Sequence, residues 1–77
     1  MWLLDITFET DAESMAVRER IESLGILWAG GDKPTSYRGH SPYTIGEDKV
    51  LYHGGGGDKK LTAEEFMAKP INYLFTL

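Results

Sequence analysis

Alternating apolar and polar residues at the start of the chain predict a strand over residues 2–9. Its apolar face carries Trp2, Leu4, Ile6 and Phe8. Thr10 and Glu13 follow at the spacing of a capping box, which predicts a helix to about Leu24, with Gly25 as its stop. Apolar residues of this helix recur at i, i+4 and i+7 and form a narrow core stripe of Val17, Ile21 and Leu24.

The middle of the chain predicts three short strands. Residues 26–29 are apolar and precede two glycines, so we expect a second strand that ends at these glycines. Residues 32–42 contain two prolines and a glycine and are expected to form an extended loop. Residues 43–45 and 50–53 are then expected to pair as a hairpin through a turn of four residues.

The last third of the chain predicts one more helix and one more strand. The four glycines at 54–57 are typical of a flexible loop. Thr62 and Glu65 form a second capping box, and the helix that it opens should end near Ala68 because a proline follows two residues later. Residues 71–77 alternate again and predict a strand that is apolar on both faces.

The element order is therefore β-α-β-β-β-α-β, which predicts a small α+β domain. We expect an antiparallel or mixed sheet with the helices packed on one face. The 77 residues suffice for a single domain. The chain has no cysteine, which excludes disulfides and zinc–thiolate sites. Because a core of this size stabilises a fold only weakly, we expect a homo-oligomer, a dimer or larger.

Two features bear on location and on partners. Residues 1–5 lack the basic leader of a signal peptide, and no stretch approaches the ~20 apolar residues of a membrane span. We therefore expect a cytoplasmic protein without membrane contact. The net charge of −4 argues against direct nucleic-acid binding, which needs clustered lysine and arginine.

The motifs of known catalytic sites do not occur in the chain. It has two histidines and no cysteine, and it contains no H-E-x-x-H, G-x-S-x-G, Walker or calcium-loop pattern. The carboxylates fall mostly on predicted helix surfaces, where solvation and the helix dipole account for them. We expect a binding protein and not an enzyme, with no cofactor and no metal.

Cations, aromatic rings and glycines are concentrated in residues 28–60. This segment holds five of the eight Lys and Arg residues, both histidines and four of the six Trp and Tyr residues. Rings can stack on a nucleobase, Arg can grip a phosphate bidentately, and glycine-rich turns let backbone amides approach an anion. The candidate ligand-binding residues are Trp28, Lys33, Tyr37, Arg38, His40 and Tyr43.

Several residues of this segment also have a purely structural interpretation. Trp28 follows apolar residues and fits core packing as well as ligand stacking. Tyr43 and Tyr52 lie on hairpin strands, where rings often form cross-strand pairs. The two histidines fit ordinary surface positions, and the four consecutive glycines fit a plain linker.

One set of motifs resembles a known group of proteins. A helix ends in Ser23-Leu24-Gly25, Leu27-Trp28 and a Gly31-x-x-Pro34 turn follow, and after the hairpin comes Leu61-Thr62-Ala63-Glu64-Glu65-Phe66. This pattern, over about residues 12–68, resembles very small bacteriophage-encoded proteins, among them anti-CBASS cyclic-nucleotide sponges. The resemblance implies an oligomer that encloses a host second messenger, such as 3′3′-cGAMP, in the infected bacterium without cleaving it.

Three hypotheses follow. In the first, Trp28 and Tyr37 stack on bases, Lys33 and Arg38 hold phosphate, and His40 and Tyr43 line the rim. In the second, the acidic residues between positions 5 and 22 form a surface that docks on a host defence or nucleic-acid-processing protein, as anti-CRISPR proteins and DNA mimics do. In the third, the protein is an enzyme that acts on a nucleotide.

Overall fold

A computed structural model describes residues 2–46 and 48–70, with side chains described from Leu4 onward. The elements are β1 (Trp2–Thr7), α1 (Asp11–Ser23), a 3-10 helix (Pro34–Ser36), β2 (Tyr43–Gly46), β3 (Leu51–His53), β4 (Gly57–Thr62) and α2 (Ala63–Ala68). The strands form one sheet in the order β3-β2-β1-β4, in which β1 is antiparallel to β2 and parallel to β4. The predicted α+β class with a mixed sheet is confirmed. The strand predicted at 71–77 lies outside the described residues.

Both helices pack on the same face of the sheet. Strand alternation places Leu4 and Ile6 of β1 on this face, and a single buried cluster joins them to both helices. The helices contribute Val17, Ile21, Ala63 and Phe66 to that cluster. The Arg20 side chain also links the helices, because it donates to the carbonyl oxygens of Phe66 and Lys69 at the end of α2.

The helix starts agree with the capping-box predictions. The Thr10 hydroxyl accepts from the Glu13 amide at 3.1 Å, and the Glu13 carboxylate accepts from the Thr10 amide at 3.2 Å. Thr62 and Glu65 repeat this exchange at 3.1 and 2.9 Å. Gly25 has a φ of +81°, the left-handed conformation expected of a helix stop.

The prediction of a strand at residues 26–29 is wrong. Trp28 makes only an isolated parallel bridge to Leu51. The chain then turns back on itself, because the Trp28 amide donates to the Asp32 carbonyl at 2.9 Å and the Gly31 amide donates to the Trp28 carbonyl at 2.8 Å. These turn hydrogen bonds use the groups that a continuing strand would need for its ladder.

The fourth strand of the sheet is β4, which starts at the last residue of the predicted glycine loop and continues through residues 58–62, where the sequence predicts no strand. β4 has only one buried residue, Leu61, so its sequence carries almost no alternation signal. Its close approach to β1 requires the glycine at position 57, since a Cβ there would lie 2.6 Å from the carbonyl carbon of Leu4. The predicted number of strands before α2 is thus correct, but one of them lies in a different segment.

Asp5 pins the glycine loop to the face of the sheet opposite the helices. Its carboxylate is buried and accepts from the Thr44 hydroxyl at 2.8 Å and from the amides of Gly56 and Gly57 at 3.1 and 2.8 Å. Lys60 adds an ion pair at 3.3 Å. Burial raises the pKa of Asp5, but the hydrogen bonds from Thr44, Gly57, Lys60 and Gly56 outweigh it, so the pKa lies below its ordinary value.

Across residues 2–46 and 48–70, no helix is both long and apolar enough to cross a membrane.

Candidate ligand-binding pocket

A pocket of about 380 Å³ lies between the turn after α1 and strand β3. Its lining consists of Trp28, Ala29, Gly30, Asp32, Tyr37, Leu51, Tyr52 and His53. Four of these residues carry aromatic rings. A concave site of this size, lined mainly by rings with a few polar groups, is typical of small-molecule binding.

Trp28 is held rigidly at the base of the pocket. The residue is only 7% exposed. Its backbone is fixed by the turn to Asp32, and its indole Nε1 donates to the Pro34 carbonyl at 3.3 Å. Trp28 thus belongs to the core and also lines the pocket, and its stacking on a ligand stays a prediction.

The rings of the pocket contact one another edge to face. The centroid of Trp28 lies 5.4 Å from that of Tyr37 and 5.7 Å from that of His53. His40 packs on the same His53 ring at 4.1 Å, with the planes almost perpendicular. Tyr37 is 54% exposed and so leaves ring surface open to a ligand.

Helix α1 positions the 3-10 helix that leads into Tyr37. The Glu22 carboxylate accepts from the Thr35 hydroxyl at 2.7 Å and from the Thr35 amide at 3.3 Å. The hydrogen bond from the Thr35 hydroxyl has the largest effect on the pKa of Glu22 and lowers it, and the bond from the Thr35 amide lowers it further. The carboxylate therefore stays ionised and accepts both bonds. The guanidinium of buried Arg18 donates to the Thr35 carbonyl at 3.4 Å. The segment that leads into Tyr37 is therefore anchored to α1 through the hydroxyl, amide and carbonyl groups of Thr35.

Tyr43 differs from its predicted place at the rim. It is fully buried, and its ring contacts Trp28 at 5.8 Å between centroids. Its hydroxyl donates to the Arg38 carbonyl and shares a 2.6 Å hydrogen bond with the Ser14 hydroxyl. Tyr43 thus supports Trp28 from the core side, and a ligand in the pocket would not touch it.

The two predicted phosphate contacts, Lys33 and Arg38, do not line the pocket. Arg38 forms an exposed ion pair with Asp11 at 2.8 Å, and its guanidinium lies 5.4 Å from the centroid of the Phe8 ring. Lys33 is exposed and directly precedes the 3-10 helix. The structure therefore brings Trp28 and Tyr37 together and joins His40 to them through His53, but it leaves both cations outside.

Sequence reasoning missed three polar residues of the pocket: Asp32, Tyr52 and His53. His53 carries a buried Nδ1 atom that has no hydrogen-bond partner within the described part of the chain. Burial and then the nearby Asp48 carboxylate raise the pKa of Tyr52, whose hydroxyl donates to that carboxylate at 3.3 Å. The signal available in the sequence was the hairpin itself, which places Tyr52 and His53 at the end of the strand that pairs with Tyr43.

A second concavity, of about 230 Å³, lies where β1 and β4 end and both helices begin. Its carboxylates include Glu13, which already accepts the hydrogen bonds of its capping box. Within the described residues no group of three or more His, Asp or Glu side chains is arranged to hold a metal ion. The ring-lined pocket is thus the stronger candidate of the two.

Comparison of the chain with protein-family models, with curated proteins and with solved structures gives no match.

Proposed function

We propose that this chain is a binding protein that takes up a base-bearing small molecule in the ring-lined pocket and does not cleave it. The observation that carries the proposal is the open surface of the Tyr37 ring beside Trp28, at 5.4 Å between centroids. The exposed face of one such ring can stack on a planar base, and a stacking contact of this kind contributes about 1–3 kcal/mol.

The ligand class that we propose is a cyclic nucleotide second messenger, such as 3′3′-cGAMP, sequestered in the cytoplasm of a bacterium infected by a phage. We take this pocket, with a volume of about 380 Å³, to hold one base of the ligand, so a cyclic dinucleotide would engage a second pocket. A second copy of the chain related by two-fold symmetry would supply it, which fits a two-fold ligand. The homo-oligomer is therefore part of this proposal.

The phosphates would lie outside the ring-lined pocket, near Lys33 and Arg38. These two cations flank the segment that ends in Tyr37. Arg38 is paired with Asp11, but the two side chains are 49% and 89% exposed, and such a pair contributes only about 0–1 kcal/mol. A phosphate could therefore replace the Asp11 carboxylate at little cost.

Calorimetric titration with a panel of cyclic dinucleotides tests the proposal. We expect saturable binding by the wild-type protein and a loss of about tenfold or more in affinity for Tyr37→Ala, because one stacking surface is removed. Met67→Ala is the matched control, since Met67 is an exposed apolar side chain of α2 outside the pocket lining. Absence of binding to every cyclic dinucleotide, or equal affinities of Tyr37→Ala and the wild type, would overturn the proposal.

The rival hypothesis of an acidic docking surface stays a prediction, and the structure sharpens its test. Charge reversal at Glu13 would break a capping box, and reversal at Glu22 would release Thr35. Glu19→Lys is the clean variant, because Glu19 is exposed on α1 and outside the pocket. If Glu19→Lys lost its effect on the host but bound nucleotides as the wild type does, this result would favour docking on a host protein. Chromatography of the released ligand addresses the enzyme hypothesis, since an enzyme would have altered it.

A further inference from the structure

The pocket lining contains a carboxylate and neither lysine nor arginine. Asp32 is exposed and lines the pocket, and within the described residues its carboxylate takes part in no ion pair. Its backbone carbonyl already accepts from the Trp28 amide at 2.9 Å, and we take the carboxylate to be the group that a ligand in the pocket would meet. The residues around it are mostly rings, which stack on any base without distinguishing one from another.

We propose that Asp32 makes this pocket selective for a guanine-type base, an inference that rests on the function proposed above. An ionised carboxylate only accepts hydrogen bonds, and it has two oxygens side by side. Guanine presents two adjacent donors on one edge, the N1–H and the N2 amine, which match those oxygens. Adenine presents its amine next to a ring nitrogen whose lone pair would face the carboxylate and repel it.

The surroundings of Asp32 increase this selectivity. Trp28, Tyr37 and Leu51 line the same pocket and displace water from a bound base. A charge-assisted hydrogen bond is about twice as strong as a neutral one, and a base whose lone pair faces the carboxylate is disfavoured by repulsion. Selectivity for the base would thus reside in Asp32, while overall affinity comes from the rings.

Competition between cyclic di-GMP and cyclic di-AMP tests this inference, since the two ligands share one sugar–phosphate ring and differ only in their bases. We expect wild-type protein to bind cyclic di-GMP about 10- to 100-fold more tightly. Asp32→Asn should bring the affinities for the two ligands close to equal. Asp58→Asn is the control, because it removes the same charge from an exposed position of β4 outside the pocket and should keep the ratio.

The outcomes separate the two proposals. If both ligands bind with equal affinity, or if Asp32→Asn keeps the wild-type ratio, selection by Asp32 is wrong while a base-binding pocket stands. If neither ligand binds, and 3′3′-cGAMP does not bind either, both proposals are overturned. Deleting a negative charge from the pocket should raise the affinity for any anionic ligand. The ratio of the two affinities cancels this general effect.

Discussion

The carboxylate of Asp5 accepts a 2.8 Å hydrogen bond from the backbone amide of Gly57, so a side chain of the first strand holds the start of the last described strand. The same carboxylate binds the Thr44 hydroxyl on the other neighbouring strand. One buried acid therefore ties together β2, β1 and β4.

We expect Asp5→Asn to destabilise the fold by about 1–3 kcal/mol. The variant keeps the shape of the side chain but replaces one accepting oxygen by a donor that faces backbone amides. Urea unfolding followed by circular dichroism measures the difference. The exposed variant Asp58→Asn should change stability by less than about 0.5 kcal/mol, and an equally small effect of Asp5→Asn would contradict the role of Asp5 as a clamp.

The same residue predicts a pH dependence of stability. The pKa of Asp5 is lower in the folded protein than its ordinary value of 3.8, so the folded state favours the ionised form. Its contribution is fully present above pH ~4 and is lost as the pH falls through the folded-state pKa. The stability difference between the wild type and Asp5→Asn should therefore shrink on acidification from pH 6 to pH 3. A difference that stays constant over this range would argue against an ionised Asp5.

Gly57→Ala should weaken the pairing of β4 with β1. The added Cβ would lie 2.6 Å from the carbonyl carbon of Leu4 and 2.7 Å from the amide nitrogen of Asp5, and backbone atoms cannot move aside as a flexible side chain can. We expect a loss of at least about 2 kcal/mol in urea unfolding. Gly30→Ala is the control, since its Cβ would meet nothing within 4 Å and its φ is not positive, so the variant should be nearly neutral.

Ligand binding should quench the fluorescence of Trp28. The chain has two tryptophans, so Trp2→Phe leaves Trp28 as the only reporter. A base seated against the pocket rings would quench this signal, with the same midpoint as in calorimetry. The same titration with Tyr37→Ala should shift the midpoint to higher ligand concentration. An unchanged Trp28 signal at a concentration that saturates the calorimetric binding would place the ligand elsewhere.

The parts of the fold that were predictable are those specified by neighbouring residues. The capping boxes at Thr10 and Thr62, and the hairpin formed by β2 and β3, are written in short sequence patterns. Strand β4 is different, because its parallel partner lies 55 residues away along the chain and its own sequence buries little more than Leu61. Asp5 looked like an ordinary solvent-facing residue of an alternating strand, since no local pattern shows which residues fold over it.

The pocket was predictable to a similar degree. Trp28 and Tyr37 were identified as rings close together in the chain, and they do contact each other. The sequence predicts Arg38 as a ligand contact beside them, but its guanidinium pairs with Asp11 at the start of α1 and lies outside the pocket lining. Such competition between partners through space depends on the finished packing. His53 joins the pocket in a different way, through the hairpin pairing of its strand with β2, which the sequence does predict.

The central position of β1 has a consequence for synthesis. β1 is made first, yet its two neighbours in the sheet come from residues 43–46 and 57–62. A nascent chain on the ribosome therefore exposes both edges of this strand until those residues emerge, and the parallel edge is covered last. Because such distant pairing forms slowly, the parallel edge of β1 stays open to association with other polypeptides until β4 docks.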